Sequence, residues 1–155
     1  MSYASLLEKV EVFDELSRER LERVSGICVE HRYDQGQLIF EQNTASDSLF
    51  VILGGEVDIL MDQASLTGQE TNPAPVPIAR LRRGQSFGEV ALVDEGLRTA
   101  TARAAAPDTR LLMFRRVDLM ELCREDFELG FILMRNLAAD LALKVRQTDL
   151  RMRRS

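Results

Sequence analysis

Phe87-Gly88-Glu89-Val90-Ala91-Leu92-Val93-Asp94-Glu95-Gly96-Leu97-Arg98-Thr99-Ala100-Thr101 is the stretch that decides how this chain is read. It opens on Gly88-Glu89, where a residue without a Cβ lets the backbone pass close to a ligand and turn into a short helix. It closes on Arg98-Thr99-Ala100-Thr101, a permanent cation and two hydroxyls at the start of a strand. Between them the apolar run Val90 to Val93 is too short for an independent helix. A loop built this way can fold over an anion, because free amides at the helix start and one guanidinium face the same point. Glu89 can accept a hydrogen bond from a sugar hydroxyl. Thr99 can donate to a phosphate oxygen or to a purine edge, and Ala100 leaves its amide unobstructed. Together these residues suit a small ligand with one negative charge, a ribose hydroxyl and a flat base. Taken one at a time, Glu89 and Arg98 amount to a surface ion pair worth about 0–1 kcal/mol.

Working outward, residues 29–115 have the texture of a β domain. Short runs of β-branched and aromatic residues alternate with turn signals. Val29–Tyr33 is one run, and Gln37–Glu41 follows the turn Asp34-Gln35-Gly36. In Ser48–Leu53, Leu49, Val51 and Leu53 alternate against Phe50 and Ile52, the period of a strand. Gly54-Gly55 predicts a tight hairpin into Glu56–Met61. The polar stretch Asp62 to Pro77 reads as a disordered hairpin excursion rather than a site. Ile78–Leu81, Thr99–Ala105 and Arg110–Arg115 complete the set, with Gly84 turning the chain into the loop quoted above. About eight short strands at this spacing predict an eight-stranded β-roll or jelly roll.

Helices are expected on both sides. Residues 1–28 hold a helical turn at Ser5–Val10 and a helix from an N-cap at Ser17 to about Cys28, burying Leu21, Val24 and Ile27. Residues 116–155 hold Val117–Arg124 and a long helix from Phe127 to about Arg151. In the long helix Phe127, Phe131, Met134, Ala138, Leu141, Val145, Thr148 and Met152 recur in alternating steps of four and three, the period of a coiled-coil seam. Leu129, Ile132, Leu133 and Leu137 form a second apolar set that can face the β-roll. The whole reads as a single domain over residues 1–155, mainly β with flanking helices.

Composition narrows the function. At 155 residues with a formal net charge of -5, the chain is an ordinary acidic domain, which argues against nucleic acid as a partner. Cys28 and Cys123 are isolated, have no metal-ligand spacing and fit a reducing cytoplasm. No apolar run approaches the ~20 residues of a membrane span, and no metal motif is present. His31 is the only histidine and reads as an exposed surface residue. The basic tail Arg146, Arg151, Arg153, Arg154 reads as a helix terminus matched to its dipole. Nothing catalytic is indicated.

Phe87-Gly88-Glu89-Val90-Ala91-Leu92 followed by Arg98-Thr99-Ala100-Thr101 closely resembles the phosphate-binding cassette of the cyclic nucleotide-binding domain family. Gly36 with Leu38-Ile39-Phe40, Asp47 to Ile52, and Gly55-Glu56-Val57 resemble its earlier strands, so the resemblance covers nearly the whole chain. It implies cAMP or cGMP as ligand. Phe87, Gly88, Glu89, Val90, Ala91, Arg98, Thr99 and Ala100 would form the binding loop. Glu89 would take the ribose 2′-hydroxyl, Arg98 the cyclic phosphate, and amides near Gly88 and Ala100 would complete the cradle. A threonine at the position of Thr99 occurs in many cGMP-selective members and in some that prefer cAMP. Thr148 and Asp149 stand near where some bacterial members touch adenine, or are an exposed helix end. Gln42-Asn43 replaces the family's common Gly-Asp and is expected to lie away from the ligand.

DNA-binding members of the family continue into a helix-turn-helix module, for which the four residues after Arg151 leave no room. The expected protein is a stand-alone regulatory domain. It would signal through its C-terminal helix, within a homodimer or against an effector protein. The alternatives are an oligomerisation module without a nucleotide, or a sensor fragment of a longer transcription regulator.

Overall fold

Strand alternation builds two layers. In the computed structural model, which describes the backbone at residues 2–62, 74–94 and 96–154 and side chains as far as residue 147, eight antiparallel strands form two four-stranded sheets. They are β1 (Val29–Tyr33), β2 (Leu38–Phe40), β3 (Ser48–Gly54), β4 (Glu56–Met61), β5 (Val76–Arg82), β6 (Ser86–Phe87), β7 (Thr101–Ala104) and β8 (Thr109–Arg115). One sheet runs β1-β8-β3-β6 and the other β2-β7-β4-β5. This is the expected eight-stranded jelly roll.

β3 shows why the layers hold. Its even residues Phe50 and Ile52 pack between the sheets with Val57, Phe87, Ala102 and Leu111. Its odd residues Leu49, Val51 and Leu53 face the helices, beside Leu112 and Phe114 of β8. A strand buried on both faces must be apolar along its buried run, as Leu49 to Leu53 of this one are.

One reading of the turns is corrected. Gly54-Gly55 does not close a hairpin, because β3 and β4 belong to different sheets. Gly55, at φ +87°, turns the chain across the sandwich. A Cβ there would stand 2.5 Å from Thr109 Oγ1 and 2.7 Å from Thr109 Cα, so the corner closes against β8 and only glycine fits. The true hairpin joins β4 to β5, with Met61 opposite Val76. The disorder expected of its tip lies outside the described residues.

Helices cover one face. α1 (Ala4–Leu7), a 3-10 turn at Glu11–Phe13 and α2 (Arg18–Ser25) precede the sheets. Ser17 caps α2 as expected, accepting from the Arg20 amide at 3.2 Å. The helix stops at Ser25 rather than Cys28 because Gly26 forms its C-cap. After the sheets come α3 (Arg116–Glu125) and α4 (Phe127–Arg154). Leu129, Leu133 and Leu137 of α4 are fully buried with Leu119, Leu21 and Phe13 in the core outside β3 and β8.

The seam reading of α4 is corrected in part. Phe127, Phe131 and Val145 are exposed at 82%, 65% and 60%, an apolar stripe without a cover. Met134 and Leu141, however, pack against the helical core. The helix interior turns every 3.6 residues, so a 3.5-residue repeat drifts into the buried face. Thr148 and Met152 have side chains outside those described.

Two polar clusters fix α4 at its start and middle. Asp126 accepts the Leu129 amide at 3.1 Å and a two-pronged contact from Arg20, 2.7 Å from Nε and 3.2 Å from Nη2. These bonds pull the Asp126 carboxyl below its ordinary pKa, Arg20 first and the Leu129 amide second. Asn136 donates to the carbonyls of Val12 and Asp14, and Arg135 pairs with Glu15.

Candidate functional site

The second apolar cluster leaves a cavity of about 830 Å³ at its open end. Its floor is the stretch quoted at the outset. β6 delivers Phe87, whose ring stacks on Phe50 at 5.2 Å. Gly88 then takes φ +77°, and the chain turns into a 3-10 helix over Glu89–Leu92. An L side chain at Gly88 would stand 2.6 Å from Arg98 Nη1, so glycine here is the condition for placing the guanidinium.

Arg98 is 6% exposed, which excludes a solvated surface pair. Its Nη2 donates to the Ser48 carbonyl at 2.9 Å and its Nη1 to Gly88 at 3.5 Å. The guanidinium lies 4.1 Å over the Phe40 ring. Its Nε is buried with no hydrogen-bond partner among the described residues. Burial pulls the Arg98 pKa below its ordinary value, against an opposing pull from Asp47. A buried cation without a matching anion is costly unless something else supplies one.

The backbone of Arg98 is clamped from an unexpected side. Asn43, at φ +68°, donates its amide to the Arg98 carbonyl at 2.8 Å, and the Arg98 amide reaches Thr44 at 2.7 Å. The Gln42-Asn43 turn, expected to lie away from the site, is therefore part of the bracket behind it. Thr99 and Ala100 form a bend rather than the first residues of β7. That bend keeps both on the cavity wall.

Glu89 is also 6% exposed, but its ion partner is not Arg98. Lys144 of α4 reaches it through Nζ, and the same ammonium lies 3.0 Å from Asp140. Half of the Lys144 side chain is exposed. Desolvation of its ammonium still lowers the pKa, with Glu11 opposing. Burial raises the pKa of Asp140.

Of the expected residues, Phe87, Gly88, Glu89, Val90, Arg98, Thr99 and Ala100 line the cavity. Ala91 does not; it belongs to the 3-10 helix and is fully buried there. The side chains of Thr148 and Asp149 lie outside those described. Not foreseen were the apolar wall of Ile59, Ile78 and Leu81, the N-terminal Leu6 and Lys9, and the α4 residues Asp140, Leu141 and Lys144. The wall follows from strand alternation. The α4 residues carried no local signal beyond an i,i+4 charge pair, which is ordinarily a solvated contact.

His31 corrects another expectation. It is half-buried, with Nε2 buried and lacking a hydrogen-bond partner among the described residues, rather than an exposed surface residue. It does not line the cavity. Cys28 and Cys123 are free, and burial raises the pKa of both thiols. Among the described residues no helix is long and apolar enough to cross a membrane.

A buried guanidinium, a carboxylate, a glycine-led helix start and an apolar wall thus meet around one cavity. The sequence model of the cyclic nucleotide-binding domain matches residues 30–126. The cyclic AMP receptor protein of Thermus thermophilus is 34% identical over 139 residues, covering 90% of this chain and 59% of that protein. The cGMP-dependent protein kinase egl-4 of Caenorhabditis elegans is 34% identical over 112 residues, covering 72% of this chain and 14% of the kinase. The chain thus spans about three fifths of one of these relatives and about a seventh of the other. The crystal structure of the Thermus thermophilus catabolite activator protein superposes with a TM-score of 0.78 at 30% identity, over 92% of this chain and 61% of that one. The chain belongs to the cyclic nucleotide-binding domain family.

Proposed function

We propose that the chain is a receptor for cAMP or cGMP that regulates through its C-terminal helix. The family is a nucleotide-binding regulatory domain, non-catalytic in itself. The observation that carries the reading is Arg98, a buried cation on the wall of an 830 Å³ cavity with its Nε unpartnered. A cyclic phosphate supplies the missing anion. Amides near Gly88 and Ala100 join it, and Glu89 takes the 2′-hydroxyl. Thr99 stands beside the phosphate or the purine edge. The base lies along Ile59, Ile78 and Leu81, with Leu141 of α4 on its far side. A cavity of this size and lining suits such a ligand. Either base is consistent with these groups; the two curated relatives named above are called a cyclic AMP receptor and a cGMP-dependent kinase.

Thermal denaturation with added nucleotide tests this. A ligand at about 100 times its dissociation constant stabilises the fold by ~2.7 kcal/mol. For a domain of this size each kcal/mol moves the midpoint by roughly 2–4 °C. The midpoint is expected to rise by several degrees with cAMP, cGMP or both. No movement with either at millimolar concentration overturns the receptor reading and favours an interaction module without a nucleotide.

The route outward is the exposed stripe of α4. Phe127, Phe131, Ala138 and Val145 lie along it uncovered, which supports a homodimer through this helix or an effector protein seated on it. Phe131→Glu is expected to convert a dimer to a monomer in sedimentation while leaving the melting midpoint nearly unchanged, since the side chain is 65% exposed. A dimer that survives this change is joined elsewhere, and a monomeric wild type removes the homodimer.

A further inference from the structure

The α4 residues at the cavity do more than cover it. Up to Leu137 the helix is held by buried leucines and by the Arg135 and Asn136 contacts. From Ala138 to Gln147 its side chains are exposed, apart from Asp140 and Leu141, which are half-buried. In that half, Lys144 makes the ion pair that joins α4 to the cassette. It does so at Glu89, the carboxylate the proposed ligand needs. Asp140, one helical turn back, stands 3.0 Å from the ammonium and can hold it when Glu89 is taken.

We infer that Lys144 is an internal competitor of the ligand's ribose: its ammonium and the 2′-hydroxyl contend for Glu89, so that ribose binding transfers Lys144 to Asp140 and releases this half of α4 from the cassette. The inference rests on the receptor reading above. The chemistry is simple. A carboxylate 7% exposed in its side chain has few open directions, and the ammonium fills one of them. The ligand hydroxyl donates one hydrogen bond to the same oxygens. The exchange costs little, because Lys144 keeps Asp140 and half of its side chain is already in solvent. Ribose occupancy is thereby coupled to the helix that carries the exposed stripe. A ligand lacking the hydroxyl leaves the Lys144–Glu89 pair in place.

Calorimetric titration of the full chain with cAMP and 2′-deoxy-cAMP, and with cGMP and its 2′-deoxy counterpart, tests this in wild type, Lys144→Ala and Lys144→Arg. Partly exposed ion pairs are weak, so Lys144→Ala is expected to tighten the ribose ligand about two- to five-fold. It should leave the 2′-deoxy ligand unchanged. The preference for ribose over 2′-deoxyribose then rises by the same two- to five-fold, and Lys144→Arg, which keeps the cation, retains the wild-type preference. A preference that does not change in Lys144→Ala overturns the competition. A preference that falls shows that Lys144 holds the ligand itself, and overturns it equally. An Arg variant that behaves like the Ala variant removes the charge from the explanation. If the wild type binds neither cAMP nor cGMP, the receptor reading fails first and this inference with it.

Discussion

Arg98→Leu is expected to lose nucleotide binding by about 30- to 5,000-fold while the unliganded protein melts at or near the wild-type temperature. The loss follows from removing one member of a buried charge pair, ~2–5 kcal/mol. The unchanged stability is the less obvious half. Arg98 occupies an apolar surround of Phe40 and Phe50 with its Nε unsatisfied. Replacing such a charge with a side chain of hydrocarbon is often neutral or stabilising. Against this stand the bond from Nη2 to Ser48, whose carbonyl is left without that donor, and the cation–π contact. These terms are each of order 1 kcal/mol and oppose one another. Calorimetry gives the affinity and thermal denaturation the stability. Retained affinity means that the anion is held elsewhere; a large loss of stability means that Arg98 is structural first.

The second large effect is on the fold. Gly55→Ala is expected to cost about 2–6 kcal/mol, from a left-handed backbone that alanine resists and from a methyl forced into Thr109, each of order 1–3 kcal/mol. The contact cannot be relieved by a rotamer, because one of the crowded atoms is the Thr109 Cα at 2.7 Å. Thr109 is itself fully buried, and its hydroxyl donates to the Ala106 carbonyl at 2.8 Å. The melting midpoint should fall by roughly 4–24 °C. Gly36→Ala is the control. It has nearly the same φ, +88°, but nothing within 4 Å of its added Cβ, so it should show the conformational cost alone. Equal losses at the two positions would mean that the corner is not crowded.

These two residues also mark how much the sequence discloses. Arg98, Glu89 and Gly88 were legible because their chemistry is local: a cation, a carboxylate and a backbone turn within one short loop. The alternation in β3 was legible for the same reason, since each face of a strand has its own side chains. Gly54-Gly55 was read as a hairpin because a tight glycine turn gives one signal whether the next strand pairs or crosses to the other sheet. What separates the two outcomes is Thr109 on β8, far along the chain. Lys144 was invisible for a similar reason. A lysine following an aspartate at i,i+4 on a helix normally faces solvent, and its proximity to Glu89 depends on where α4 crosses the sandwich. The period of the long helix was legible, but not that Met134 and Leu141 belong to the core.

The Arg20–Asp126 contact gives that crossing a mechanical meaning. It fastens the first residues of α4 to α2, while the helix runs on for 28 residues, about 42 Å. The arm from this fulcrum to Lys144 is roughly 27 Å. Tilting it by about 5° would sweep Lys144 through a little over 2 Å, which exceeds the tolerance of a hydrogen bond. The same tilt would move Leu129 by only about 0.4 Å and Leu137 by about 1.4 Å, so a small shift at the fulcrum is enough to make or break a contact at the cassette. Under the proposed exchange at Glu89, the stiffness of one helix would convert chemistry at the cassette into travel along its far end.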